Sequence, residues 1–173
     1  MPTLIRPACP QDAHALASIF VDGWRFAYEG LLPRAFLASL DVCERERQQK
    51  ELIERSVRAA DYWLRAADRE GVVVGVCAFG KCRENNSENT GEIYALYLNP
   101  NNVGQGIGFS LMQNALAQLS YEGFTQASLW VLDGNSRALS FYQKFGFILT
   151  GKTKHEEMFG IKLLEREMEI SLI

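Results

Sequence analysis

The chain predicts a mixed α/β fold, one sheet with helices on both faces, and three observations lead there. Segments of strand character alternate with segments of helical period in the order β-α-α-α-β-β-β-α-β-α-β-β. A strand, a glycine loop and a helix follow one another across residues 92–119. The 173 residues, 47% of them apolar, carry no internal repeat, low-complexity tract or linker, which suits one domain (residues 1–173) around one core.

Taken in order, residues 3–6 form a short first strand. Pro10 suits the first turn of a helix, and Asp12 complements its dipole. Ala13, Leu16, Ala17, Phe20, Trp24, Ala27 and Tyr28 then recur at i, i+3, i+4, i+7, an amphipathic helix ending at Tyr28. Gly30-Leu31-Leu32-Pro33 breaks it. A short helix over 33–40 and a charged one over 44–60 follow, the second turning Leu52, Ile53 and Val57 inward. Residues 62–67 and 72–81 alternate as a hairpin around Asp68-Arg69-Glu70-Gly71, and 83–90 is a polar loop. Residues 92–98 are β-branched, aromatic or leucine-rich, as in a buried strand, until Asn99-Pro100-Asn101-Asn102 stops it. Residues 126–132 form the next strand, closed by Asp133-Gly134. After a helix opening near Asn135 come two β-rich runs, 148–155 and 163–173, the last alternating like an exposed or edge strand.

The glycine loop carries the first functional signal. Gly104, Gly106 and Gly108 stand at alternate positions, and Leu111, Met112, Ala115, Leu116 and Leu119 keep helical spacing after them. A helix therefore opens inside the loop, and its unpaired N–H groups and partial positive charge suit a phosphate. A dinucleotide fingerprint is excluded, because its third glycine would fall on Phe109 or Leu111. A P-loop is excluded too, since Ile107, Gly108, Phe109 and Ser110 supply no Gly-Lys-Ser/Thr. Two readings stay open for the loop alone: a metal-free cradle binding a diphosphate through amides, or a tight strand–helix turn.

The second signal is Asn135-Ser136-Arg137-Ala138-Leu139-Ser140-Phe141-Tyr142-Gln143-Lys144-Phe145-Gly146-Phe147, downstream of the 126–132 strand. Together the two segments resemble the GNAT superfamily of acetyl-CoA-dependent N-acetyltransferases. Its cofactor motif, Gln/Arg-x-x-Gly-x-Gly/Ala, matches Val103-Gly104-Gln105-Gly106-Ile107-Gly108, with Val103 departing from the usual Gln or Arg. A later Asn-x-x-Ala-x-x-Phe-Tyr-x-x-x-Gly-Phe matches Asn135, Ala138, Phe141, Tyr142, Gly146 and Phe147. The resemblance spans nearly the whole chain. It implies a mostly antiparallel central sheet, acetyl-CoA as acyl donor and direct transfer to a primary amine in a ternary complex.

The resemblance also implies roles for particular residues. Backbone groups of Leu96 and Leu98 contact the pantetheine arm, and residues 103–108 hold the diphosphate. Tyr142 gives a proton to the leaving thiolate; a phenol near ~10 and a thiol near ~8.5 differ modestly in acidity. Glu92 is the candidate base, working through a water, and half-burial in the cleft would raise its pKa. Tyr94 positions the amine or that water. Asn135 and Ser140 hydrogen-bond the cofactor, with an N-cap as the competing use of Asn135. Trp24 and Tyr28, with Phe26, Leu31 and Leu32 between the first two helices, face the acceptor. Glu29 and His14 are weaker candidates for the base.

Composition bounds the rest. A net charge of −3, from 18 basic and 21 acidic residues, gives no general attraction to nucleic acid or anionic membrane and suits a cationic amine. No apolar run reaches roughly 20 residues and the N-terminus lacks a signal pattern, so a cytoplasmic protein is expected. Four cysteines without a C-x-x-C pair read as reduced thiols, and with two histidines no metal site is expected. The expected acceptor is a small-molecule amine, polyamine-like. Protein N-terminal or lysine acetylation is the alternative, and a non-catalytic acyl-CoA sensor would dispense with Tyr142 and Glu92. A homodimer through the last strands is a family-level expectation.

Overall fold

The computed structural model describes residues 2–84, 88–158 and 160–173, with Met158 described in its backbone alone. Part of the polar loop expected at 83–90 therefore lies outside the described residues. Seven strands pair in the order β1-β2-β3-β4-β5-β7-β6: β1 Leu4–Pro7, β2 Tyr62–Arg69, β3 Val72–Lys81, β4 Thr90–Leu98, β5 Gln126–Leu132, β6 Ile148–Met158 and β7 Ile161–Ser171. Every neighbouring pair is antiparallel except β4 with β5. The mixed, mostly antiparallel sheet is as expected.

Helices cover both faces. On one lie α1 (Ala13–Ala27) and α3 (Val42–Arg58), joined by the short α2 (Arg34–Ser39). There Leu16, Ile19 and Ile53 pack on Leu64, Ala66, Val76 and Ala78 of β2 and β3. On the other, α4 (Ile107–Tyr121) buries Leu111, Met112, Ala115 and Leu119 against Phe79, Ile93, Leu129 and Met168, with α5 (Ser136–Phe145) beside it. Leu111, Met112 and Leu119 are fully buried, each stabilising by roughly 1.5–3 kcal/mol. Among the described residues no helix is long and apolar enough to cross a membrane.

Helix α3 departs from the expected inward face. Asp41 caps it, accepting from the Glu44 N–H at 2.7 Å, so it starts two residues early. Its inward stripe runs through Gln49, Leu52, Ile53 and Ser56, as expected for the two apolar residues, whereas Val57 lies at the edge of the stripe and is 78% exposed. Polar residues share this face because Arg45 lays its guanidinium over the Phe20 ring at 3.4 Å.

Candidate active site

Strands β4 and β5 pair in parallel over only four positions, from Thr90–Gln126 to Ile93–Leu129. Opposite β3, the register jumps from Ala78–Ala95 to Phe79–Ile93, leaving Tyr94 as the extra residue of a β-bulge. A bulge bends its strand. Beyond it, residues 95–98 of β4 and 130–132 of β5 face each other without pairing. The open space is part of a cleft of about 790 Å³, which runs from Gly104 and Gly106 along Leu96 and Leu98 to Tyr142, Trp130 and Tyr28.

Register fixes what β4 offers this gap. The Asn99 N–H donates to the Val74 carbonyl at 2.9 Å, so Asn99 bonds towards β3. Alternation along an antiparallel pair then turns Ala95 and Tyr97 towards β3 as well, and the N–H and C=O of Leu96 and Leu98 towards the gap. An extended, amide-bearing ligand would extend the sheet there.

The loop after β4 has the geometry of an anion cradle. Gly104 and Gly106 have φ of +81° and +80°, a region costly for other residues, and a Cβ on either would meet nothing within 4 Å. Gly106 is the N-cap of α4 with no side-chain capping bond, so the first N–H groups of the helix keep their donor capacity. Val103, Gly104, Gly106 and Gly108 line the cleft. Gln105 and Ile107 do not: Gln105 donates to the Asn101 carbonyl at 3.0 Å and accepts from Arg69 at 2.6 Å, and Ile107 is a core residue, 1% exposed.

Tyr142, on α5, lines the cleft, and among the described residues its hydroxyl has no hydrogen-bond partner. Burial pushes its pKa above the ordinary phenol value, and the neighbouring Tyr28 and Cys77 add to the shift. Tyr28 completes the wall, its hydroxyl 3.5 Å from that of half-buried Tyr97. Cys77 is fully buried and its thiol is pushed up to about 12 by burial, as expected of a core cysteine rather than a nucleophile. Asn135 lines the cleft while its side chain caps α5, accepting from the Ala138 N–H at 3.1 Å. Ser140 is exposed and lies away from the lining.

Glu92 sits differently from the half-buried carboxylate expected in the cleft. It is 1% exposed, in the paired part of β4, and absent from the lining. Arg83 holds it, with Nη2 2.5 Å from Oε1 and the Arg83 N–H donating to Oε2 at 3.0 Å. A carboxylate taken out of water must have such a partner, and the segment after β3 supplies it. Tyr94 lines the cleft, stacks on Tyr62 (5.7 Å between centroids) and donates its hydroxyl to the Lys81 carbonyl. Trp24 lies behind the wall, 8% exposed and edge-on to Tyr28 at 4.9 Å. Glu29 lines the mouth, whereas His14 pairs with Glu46 on the outer surface.

Sequence reasoning overlooked Arg137, the one cation among the described residues lining the cleft, with its guanidinium 4.4 Å from the centre of the Phe26 ring. It stands two residues after Asn135, where a first-turn helix position gave no distinguishing signal. Phe109, which belongs to neither motif, lines the cleft too.

Comparison with known proteins agrees with this geometry. Residues 17–147 match the acetyltransferase (GNAT) family. The chain is 32% identical over 141 residues to the uncharacterized N-acetyltransferase YuaI of Bacillus subtilis, covering 82% of this chain and 78% of that protein. It is 26% identical over 145 residues to a spermidine N(1)-acetyltransferase of Thermoplasma acidophilum, covering 83% and 86%. The fold superposes on the crystal structure of PaiA N-acetyltransferase from Thermoplasma acidophilum in complex with coenzyme A, with a TM-score of 0.78, 24% identity and 99% of both chains covered. With a strand gap, an amide cradle and a family match over most of its length, the chain belongs to the acetyltransferase (GNAT) family and is an acyltransferase dependent on acetyl-CoA.

Proposed function

We propose that the protein moves the acetyl group of acetyl-CoA directly onto the primary amine of a small cationic molecule of the polyamine type. The observation that carries this reading is the continuous cleft from the glycine loop, past the inward-turned Leu96 and Leu98 backbone, to the Tyr142 hydroxyl, which has no hydrogen-bond partner among the described residues. The spermidine acetyltransferase relative, the aromatic wall of Phe26 and Tyr28 with Glu29 at the mouth, and a net charge of −3 support a cationic acceptor.

In this reading the free amine nitrogen forms a C–N bond with the thioester carbon. A β4 amide facing the gap hydrogen-bonds the oxygen that becomes negative. The C–S bond then breaks, and Tyr142 donates its proton to the departing sulfur. Burial makes this phenol a weaker acid than a free one, so donation accompanies C–S cleavage instead of preceding it. The proton that the acylated nitrogen sheds leaves to water in the open cleft, and a proton from that water restores the Tyr142 phenol. Glu92 acts at one remove: it fixes Arg83, whose guanidinium lies 5.0 Å from the Tyr94 ring centre.

Thiol release from acetyl-CoA, measured across polyamines, aminoglycosides, amino acids and N-terminal peptides, tests the reading. Saturable release with a polyamine is expected. Release with peptides alone would replace the acceptor, and release with no amine would leave a sensor of acyl-CoA.

A further inference from the structure

Phe109 is a large apolar side chain that the reaction leaves unused. It lies in the first turn of α4, directly after the cradle, and is 48% exposed while lining the cleft. Phe141 and Phe145 of α5 pack against the core, whereas Phe109 rests on them from outside. Its ring stacks on Phe145 at 4.7 Å and 27°, and Phe145 meets Phe141 edge-on at 5.3 Å. One face of a fixed, nearly flat ring thus stays open beside a phosphate site. Resting on the acetyl-CoA reading above, we propose that Phe109 is the platform on which the adenine of coenzyme A stacks.

Four features support this occupant. A nucleotide whose diphosphate sits on the 104–108 amides has its base one ribose away, within reach of the residue that follows the cradle. Adenine presents a π-face of matching size, and offset stacking on an aromatic ring suits both partners. Packing on Phe145 already restricts the Phe109 ring, so little side-chain freedom is lost on binding. Val103, apolar and 39% exposed, faces the same cleft, so stacking in place of a charged side chain fits the loop's chemistry.

Isothermal titration of coenzyme A and of 4′-phosphopantetheine, which lacks the adenosine part, tests the inference on the full chain. Phe109→Ala should weaken coenzyme A about tenfold and leave 4′-phosphopantetheine unchanged, while Phe109→Trp should bind coenzyme A at least as well as the parent. Phe109→Leu keeps apolar volume without a ring and should lose nearly as much as alanine. Equal weakening of both ligands by Phe109→Ala, no effect on either, or full retention by leucine would overturn the platform. If the parent chain itself bound neither ligand, the acetyl-CoA reading would fall first.

Discussion

Arg83 encloses Glu92: guanidinium and main-chain N–H together direct donors at both carboxylate oxygens, at 2.5–3.2 Å. The acid is buried under a partner that is itself 61% exposed. Both oxygens are engaged by Arg83 and Glu92 does not line the cleft, so we read the pair as a brace beneath Tyr94.

Glu92→Gln separates brace from base. It keeps the shape and removes the charge, and should cost about 1–2 kcal/mol of stability in urea unfolding while lowering kcat less than about tenfold. The acidic limb of the pH–rate profile should survive. A loss of ~10²-fold or more with that limb abolished would make Glu92 the base.

Tyr142→Phe removes only an oxygen that has no hydrogen-bond partner among the described residues. We expect kcat to fall by about 10²-fold or more, with acetyl-CoA affinity within a few fold of the parent. Unchanged turnover would remove Tyr142 as the acid.

Gly106→Ala tests the cradle. At φ +80° an alanine is strained by roughly 1–2 kcal/mol, and its Cβ would project into open space where the proposed diphosphate would lie. Coenzyme A affinity should drop at least about tenfold, and Gly106→Asp should abolish binding because a carboxylate would occupy an anion site. Tight binding by the aspartate variant would mean that the loop is only a turn.

The buried phenols give a pH dependence with a definite sign. Burial raises Tyr94, Tyr97 and Tyr142 above the ordinary phenol value, so the folded state favours their protonated forms. Their contribution is fully present below about pH 10, where unfolded phenols titrate, and is lost as pH rises from there towards the folded values. Melting temperature should hold to about pH 9.5 and then fall, less steeply in Tyr142→Phe. A flat profile to pH 11.5 would contradict this burial.

Most of the fold was legible because its signals are local. Period-two and period-3.6 segments mark β3, β5, α1 and α4 within a residue or two, and the glycine loop and Tyr142 are adjacent-residue patterns. Contacts between distant segments were not legible. Nothing in the strand residues 92–98 announces that Arg83 neutralises Glu92, nor that Tyr94 is a bulge, since both depend on pairing with β3. Trp24 and Tyr28 share a helix face, but the sequence cannot say which meets the cleft; the packing of Phe36 on Trp24 decides it.

Titrating acetyl-CoA into ¹⁵N-labelled protein and following each backbone amide is the most direct test of how the donor is held. The Gly104, Gly106, Gly108, Leu96 and Leu98 N–H signals should shift together and saturate at one affinity, while those of α3 stay still. Saturable shifts confined to any other surface, with the five amides unmoved, would contradict the account.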